Sequence, residues 1–359
     1  MPVLKIEFVG TNATVTSNLK ISKWTNAFSG TNAIFSPSFI DDDPDAFKVR
    51  ITDPLKAGTS SIVAKLSTLG PKTSYNNPEV DLELTATFAG SGVFESATLI
   101  LVSNAIDDQE IYDGDPCALS GVADDENGDR TFIAQLDGTV TAKYEVEGIG
   151  VMEIQSMVET RGTVNVNVMV LYNETGQTIN NYDVAQQIAT MKECYKQIGL
   201  KVVSNLAYIY DDMIPDTVAV GIQWDAKRDK GALNESVKDL LDRDAIVNEI
   251  NIIYVYDLCH DAFDGGYHNT VSGMSIMQSN FFEDIGRYSY NIILSSTRPK
   301  PFTMPHEVGH LLTRKGAHES DPWNLMINGS CTYNDDINNA KRLISWQETR
   351  IYNDGHVYK

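Results

Sequence analysis

A five-residue pattern near the carboxyl end, His306-Glu307-Val308-Gly309-His310, constrains this chain more than any other feature. Residues four apart lie on the same face of an α-helix, so His306 and His310 can direct two imidazoles toward one point. Glu307 follows the first histidine, close to that point. Three of the six histidines fall between positions 306 and 318, a clustering that composition does not explain. The pattern therefore predicts a helix that carries a metal site, and the alternative is a buried helix with satisfied core histidines.

The residues around the pattern predict where this helix begins and ends. Thr303 can cap its amino end, and Pro305 fits a first turn, where proline has no hydrogen bond to lose. Gly316 can adopt the left-handed conformation that ends a helix. We expect a helix from about 303 to about 315, with His318 returning from the loop that follows.

Two imidazoles beside a glutamate suit a catalytic zinc ion, which takes three protein ligands and keeps one position open. His306, His310 and His318 are the predicted zinc ligands. Glu307 is the predicted catalytic residue, placed to hold a zinc-bound water without binding the metal.

On these residues the chain resembles the metzincin clan of zinc metallopeptidases. Asn324-Leu325-Met326 looks like the Met-turn of that family, which implies that Met326 lies below the metal. The spacing departs from the family, because Thr313 and Gly316 occupy the places of its glycine and its third histidine. His318 comes eight residues after His310 rather than six, so Asp321 remains an alternative third ligand.

The resemblance implies a zinc-dependent endopeptidase that acts on a protein or peptide substrate. Zinc bound by neutral histidines lowers the pKa of its water to about 7. Glu307 would accept the water proton and pass it to the leaving amine. The alternative is a zinc-stabilised but inactive binding or structural protein. The intact glutamate and histidines favour the enzyme.

Composition and charge argue against some classes of binding partner. The chain has 359 residues and a net charge of -21, which argues against nucleic acid and against an anionic membrane surface. No stretch is apolar over eighteen residues, so no membrane span is predicted, and the amino end lacks the pattern of a signal peptide. Localisation stays open between a cytoplasmic protein and one exported by a non-classical or dedicated route, such as a protein-cleaving effector or toxin, and loss of a leader is a further alternative.

The first half reads as an all-β, sandwich-like domain over residues 1–160, for which we expect a targeting, delivery or inhibitory role and name no partner. Short runs rich in β-branched and aromatic residues, separated by Gly, Pro, Asn and Asp, predict its strands. These runs are Val3 to Val9, Phe47 to Thr52, Ser60 to Ser67, Val80 to Phe88, Ala97 to Val102, Thr131 to Leu136 and Thr139 to Val146. Acidic turns within 41–45, 113–115 and 124–129 could hold calcium, although solvated turns are the preferred interpretation.

Residues 161–359 alternate strands with helices, and the predicted fold class is therefore α+β and multidomain. In this interpretation the second domain is an α/β, metzincin-like zinc peptidase. Predicted strands are Val164 to Leu171, Val202 to Tyr210, Val218 to Gln223, Ile250 to Tyr256, Val271 to Met277 and Tyr290 to Leu294. Predicted helices begin at Asn181 or Asp183 and end at Gly199, run from Glu235 to Asp242, and close the chain from Asp335 to Ile351.

Of the four cysteines, Cys194 reads as a buried thiol on a helix, and Cys259 could pair with Cys331 in a secreted protein. His260 and His268 are interpreted as loop or surface residues. His356 is expected in a terminal segment without fixed structure.

The third ligand is the least constrained part of the predicted site, and two substitutions test it. We expect His318→Ala to lower zinc affinity by orders of magnitude, because an imidazole just past Gly316 can fold back to the helix. Asp321→Ala should keep one zinc per chain, since Pro322 biases Asp321 toward an extended conformation. Metal analysis of both purified variants decides the matter, and the opposite pattern would assign the site to Asp321.

Overall fold

A computed structural model of the chain describes residues 3–22, 43–69, 79–102, 131–212, 218–219, 222–225, 230–233, 235–245, 249–260, 269–270, 272–276, 288–296, 300–314, 325–326, 343, 347, 350–352 and 354–358. The chain divides into two compact units. The first comprises Met1–Gly162, Lys196–Lys201 and Leu343–Thr349, and the second comprises Thr163–Tyr195, Val202–Arg342 and Arg350–Lys359. That residues 161–359 fold independently stays a prediction.

The first unit is built from ten described strands and one short 3-10 helix at Pro54–Lys56. The strands are β1 (Lys5–Gly10), β2 (Asn18–Lys20), β3 (Phe47–Thr52), β4 (Ser61–Leu69), β5 (Val80–Ala86), β6 (Val93–Ser96), β7 (Ile100–Val102), β8 (Thr131–Ile133), β9 (Thr139–Val146) and β10 (Gly150–Glu159). Eight of them form one curled sheet in the order β1-β3-β6-β5-β4-β9-β10-β2. Strands β7 and β8 pair in parallel as a separate ribbon.

Alternation of buried and exposed side chains, clearest in β4, gives the sheet one apolar face, and the sheet curls around that face. In β4, Ile62, Ala64 and Leu66 are buried, whereas Val63 and Lys65 between them are exposed. Side chains of a strand alternate between its two faces, so one face of the sheet carries the apolar set. Phe8 and Phe47 pack edge to face inside, with ring centroids 5.8 Å apart.

This single curled sheet corrects the prediction of a sandwich in the first half. The predicted strands Phe47 to Thr52 and Thr139 to Val146 have the predicted bounds. Strands β2, β6 and β10 were not predicted, and β10 forms an antiparallel hairpin with β9 where the sequence suggested a domain boundary. In the acidic turn at 41–45, Asp43 is buried and accepts hydrogen bonds from the Ser22 hydroxyl and the Asp45 amide. The turns at 113–115 and 124–129 lie outside the described residues.

The second half of the chain contains twelve described strands and three α-helices. The strands are β11 (Gly162–Asn173), β12 (Gly176–Gln177), β13 (Leu200–Tyr210), β14 (Val218–Ala219), β15 (Ile222–Asp225), β16 (Lys230–Leu233), β17 (Ile250–Val255), β18 (Leu258–His260), β19 (Asn269–Thr270), β20 (Gly273–Ile276), β21 (Asn291–Ser295) and β22 (Val357–Tyr358). The helices are α1 (Asn181–Lys196), α2 (Glu235–Asp244) and α3 (Thr303–Thr313).

The largest sheet of this half runs β12-β11-β17-β21-β20, and β13 and β22 also pair with β11. Strands β11, β17 and β21 are parallel, and β20 lies antiparallel to β21 at the end of this order. Both faces of β17 are buried, as expected for the sequence INIIYV, which is apolar except for Asn251. The buried amide of Asn251 donates to Asn291 Oδ1 at 2.9 Å.

The predicted α/β, metzincin-like class of residues 161–359 is wrong. In the part of the chain that the structure describes, 22 strands stand beside three α-helices with defined bounds and further helical residues at 347 and 350–352, so the protein is mostly β. Strands β14, β18 and β19 form one small separate sheet, and β15 and β16 form another. The prediction extended the resemblance of about 25 residues to a whole domain. In addition, periodicity alone does not distinguish a short buried strand from a buried helical segment.

Two terminal predictions had different outcomes. His356 packs on the Tyr290 ring with centroids 3.7 Å apart, and β22 pairs with β11, so the described end of the chain is structured, contrary to expectation. The predicted helix from Asp335 to Ile351 lies largely outside the described residues. None of the helices in the described part of the chain is long and apolar enough to cross a membrane.

Helix α1 places Cys194 in the core, as predicted, and its exit depends on Gly199. This glycine has a φ of +73°, and an added Cβ would lie 3.1 Å from Ile21 Cδ1 and 3.3 Å from Arg161 Cβ. Gly148, in the turn between β9 and β10, has a φ of +75° with no atom within 4 Å of such a Cβ. The two glycines therefore share backbone conformation and differ in crowding.

We expect Gly199→Ala to lower the free energy of unfolding more than Gly148→Ala does. Both variants carry left-handed backbone strain of about 1 kcal/mol, and only Gly199→Ala adds crowding, which costs about 1–3 kcal/mol. Urea unfolding of both variants measures the difference. Equal losses would mean that the neighbours of Gly199 relax freely.

Candidate metal centre

Helix α3 carries the His306-to-His310 pattern and is almost wholly buried. It begins at Thr303, as predicted, but Phe302 rather than Thr303 occupies the capping position, without a side-chain hydrogen bond. The first turn is instead held from outside, where the Tyr195 hydroxyl donates to the carbonyl of Pro305 at 2.9 Å. Helix α1, which carries Tyr195, thereby fixes the turn that precedes the histidines.

Helix α3 ends at Thr313, where about 315 was predicted, and Arg314 after it takes the left-handed conformation, with a φ of +52°. Gly316, the predicted stop, lies outside the described residues. The Arg314 amide bonds to the carbonyls of His310 and Leu311. A non-glycine residue in this conformation costs about 1–2 kcal/mol. The Arg314 guanidinium offsets that cost, because it donates to buried Asp354 and to the Tyr290 hydroxyl, each at 3.0 Å.

The two imidazoles of the pattern meet on one face of α3, as four-residue spacing requires. The Nε2 atoms of His306 and His310 are 3.0 Å apart, and the ring planes cross at 88°. Nδ1 of His306 lies 2.7 Å from the carbonyl oxygen of Leu325. A carbonyl only accepts hydrogen bonds, so this nitrogen carries the proton, and Nε2 of the neutral ring offers its lone pair toward His310.

The Leu325–Met326 segment contacts the same helix from below the pair. Met326 is buried, and a Cβ added to Gly309 would lie 2.4 Å from its sulfur and 3.4 Å from the Tyr195 hydroxyl. Only glycine at position 309 allows this approach, although glycine inside a helix costs about 1 kcal/mol relative to alanine. Helix α3 is thus fitted to Met326 and Leu325.

Glu307 follows His306 about 100° around the helix and contacts strand β20 through Ser275. Its side chain is 8% exposed, and burial raises the pKa of its carboxyl to about 7, with a hydrogen bond from Ser275 lowering it in part. The Ser275 hydroxyl lies 2.8 Å from the Glu307 carbonyl oxygen and also contacts Oε2. A cation nearby would favour the ionised carboxylate and so lower this pKa again.

The donor set fits a zinc ion. Two nitrogens bound to one tetrahedral zinc at about 2.0–2.1 Å are roughly 3.3 Å apart, near the spacing of this pair. The carbonyl behind His306 is the kind of partner that orients a zinc-binding imidazole. Among the described residues no group of three or more His, Cys, Asp and Glu side chains could hold a metal. His318 and Asp321 lie outside the described residues, so a third ligand from either, and with it the predicted ligand set, stays a prediction.

Several residues of this centre were not predicted from the sequence. Ser275, Gly273 and Tyr195 contact α3 from elements that are 30 to 110 residues away in the chain, and no local pattern marks them. Strand β20 was predicted within Val271 to Met277, and this strand was the only feature in the sequence analysis that pointed toward Gly273 and Ser275. The zinc, calcium, Cys259 and Cys331 predictions find no test in the described residues.

Comparison with known proteins gives only weak likenesses. No protein-family model matches the chain, and no curated protein matches its sequence. Among solved structures, the metalloproteinase-II of Bacteroides fragilis is similar over 60% of this chain and 73% of its own, with 12% identity and a TM-score of 0.31. A polysaccharide deacetylase from Bacillus cereus is similar over 58% of this chain and 55% of its own, with 11% identity and a TM-score of 0.18.

Gly309→Ala tests the fit between α3 and Met326. We expect it to destabilise the protein by about 1–3 kcal/mol through overpacking, although the same change in an exposed helix would stabilise by about 1 kcal/mol. In a Met326→Ala background the added methyl finds space, so most of this loss should disappear. Thermal unfolding of the two single variants and the double variant measures this coupling, and additive losses would contradict the contact.

Proposed function

We propose that the chain is a zinc-dependent endopeptidase that hydrolyses peptide bonds of protein substrates. The observation that carries the proposal is the convergence of His306 and His310 on one point, with the buried carboxylate of Glu307 between them in sequence. Two convergent imidazoles alone suit any structural metal site. Glu307 lies between the two histidines in sequence and is not one of the ligand pair. Its buried carboxylate is therefore suited to proton transfer.

In this proposal the residues have separate roles. His306 and His310 hold the zinc, with His318 as the third ligand, and Met326 packs below them against Gly309. When bound, zinc acidifies a water molecule and polarises a carbonyl group. Glu307 takes the proton at Oε1, because Oε2 is held by Ser275, and delivers it to the leaving amine.

The resemblance to metzincins enters the proposal at the level of these motifs only. It suggests that substrate lies extended along β20, the last strand in the sheet order β12-β11-β17-β21-β20. A substrate strand could pair with the backbone there, and its side chains would alternate between the two faces. The carboxylate of Glu307, which contacts β20, would then lie close to the bond that is cleaved.

Glu307→Ala tests the mechanism. We expect it to abolish cleavage of casein by the zinc-loaded protein, because the proton acceptor is lost, while zinc stays at one per chain, since Glu307 is not a ligand. Glu174→Ala, which removes an exposed carboxylate from the turn after β11, serves as the matched control and should keep full activity.

Two outcomes would contradict the proposal. Activity of Glu307→Ala within tenfold of the unsubstituted protein would exclude Glu307 as the base. A zinc-loaded protein that cleaves neither casein nor itself on storage, and shows no cleavage sites across a proteome, would favour the inactive, zinc-stabilised alternative.

A further inference from the structure

We propose that Ser275 is a positioning residue, which fixes the carboxylate of Glu307 in the orientation that proton transfer needs. The inference rests on the proposed function, in which Glu307 is the base. It assigns a role to a strand residue outside the His306-to-His310 pattern.

The Ser275 hydroxyl contacts Glu307 twice. It lies 2.8 Å from the backbone carbonyl oxygen and also contacts the carboxylate oxygen Oε2. The hydroxyl has one proton for these two acceptors, so the contact holds the carboxylate beside the backbone of its own residue. Because Ser275 pairs with Ile292 in the β20–β21 ladder, the hydroxyl is itself held by the sheet.

Gly273 supplies the second half of the arrangement. It lies two residues before Ser275, so both positions face the same side of β20. A Cβ at Gly273 would lie 2.8 Å from Glu307 Cγ, 2.8 Å from Leu294 Cδ2 and 3.0 Å from Glu307 Oε1. The strand therefore leaves room for the glutamate at one residue and holds it by a hydrogen bond at the other.

The arrangement makes the two carboxylate oxygens unequal. Oε2 is engaged by Ser275, whereas Oε1 lies over the space that Gly273 leaves open. A general base must stay within hydrogen-bond reach of its proton, and a displacement of about 1 Å can lower a rate by about a hundredfold. Without the hydroxyl, Glu307 would still be buried, but its carboxylate would no longer be held in one orientation.

Zinc-loaded full-length variants test this role with fluorescein-labelled casein as the probe. We expect Ser275→Ala to lower kcat about tenfold or more, with KM within about twofold and zinc at one per chain. Ser275→Thr keeps the hydroxyl and should restore kcat to within about threefold. Ser296→Ala removes a comparable serine bond, to the carbonyl of Tyr256, and serves as the control with unchanged kcat.

Crystal structures of the unsubstituted protein and of Ser275→Ala provide a readout that does not depend on activity. The inference predicts that the Glu307 carboxylate leaves its position in the variant while α3 and β20 stay in place. An unmoved carboxylate, or an unchanged kcat, would overturn it. If the unsubstituted zinc-loaded protein cleaves nothing, the proposed function fails, and the position of the carboxylate in the two structures alone decides the role of Ser275.

Discussion

The hydrogen bond between His306 Nδ1 and the carbonyl of Leu325 is the contact on which the candidate metal centre depends. It fixes the proton on one ring nitrogen and so leaves the other nitrogen able to bind a cation beside His310. The contact also requires the Leu325–Met326 segment to pass close under α3. Gly309 allows that passage, because any larger residue would collide with the Met326 sulfur. Gly309 therefore affects the imidazole pair indirectly, because it lets the Leu325–Met326 segment approach closely enough for Leu325 to accept the His306 hydrogen bond.

The part of α3 that carries Glu307 contacts the sheet. Strand β20 offers Gly273 and Ser275 to Glu307, and burial there raises the pKa of the carboxyl to about 7. A helix that presents two metal ligands and an acid in a fixed geometry needs firm support at both ends. Tyr195 supplies it at the first turn, and Arg314, held by Asp354 and Tyr290, supplies it at the last.

Local patterns predicted local structure well. Four-residue spacing placed His306 and His310 side by side, and the alternation in Val164 to Leu171 predicted a strand there. Longer-range features were not predictable in the same way. The curl of the first sheet depends on pairings across its whole order, and Ser275 meets Glu307 only because β20 lies beside α3. The α/β class failed because a short motif fixes the chemistry of a helix, whereas the layers around it depend on the rest of the chain.

The central claim is that His306 and His310 bind one zinc ion together. X-ray absorption at the zinc edge, on protein loaded with one equivalent, tests it most directly. The account predicts nitrogen and oxygen ligands at about 2.0–2.1 Å with the outer-shell scattering of at least two imidazoles, and loss of stoichiometric zinc in His306→Ala. Sulfur ligands at about 2.3 Å, or zinc that stays at one per chain in His306→Ala, would contradict it.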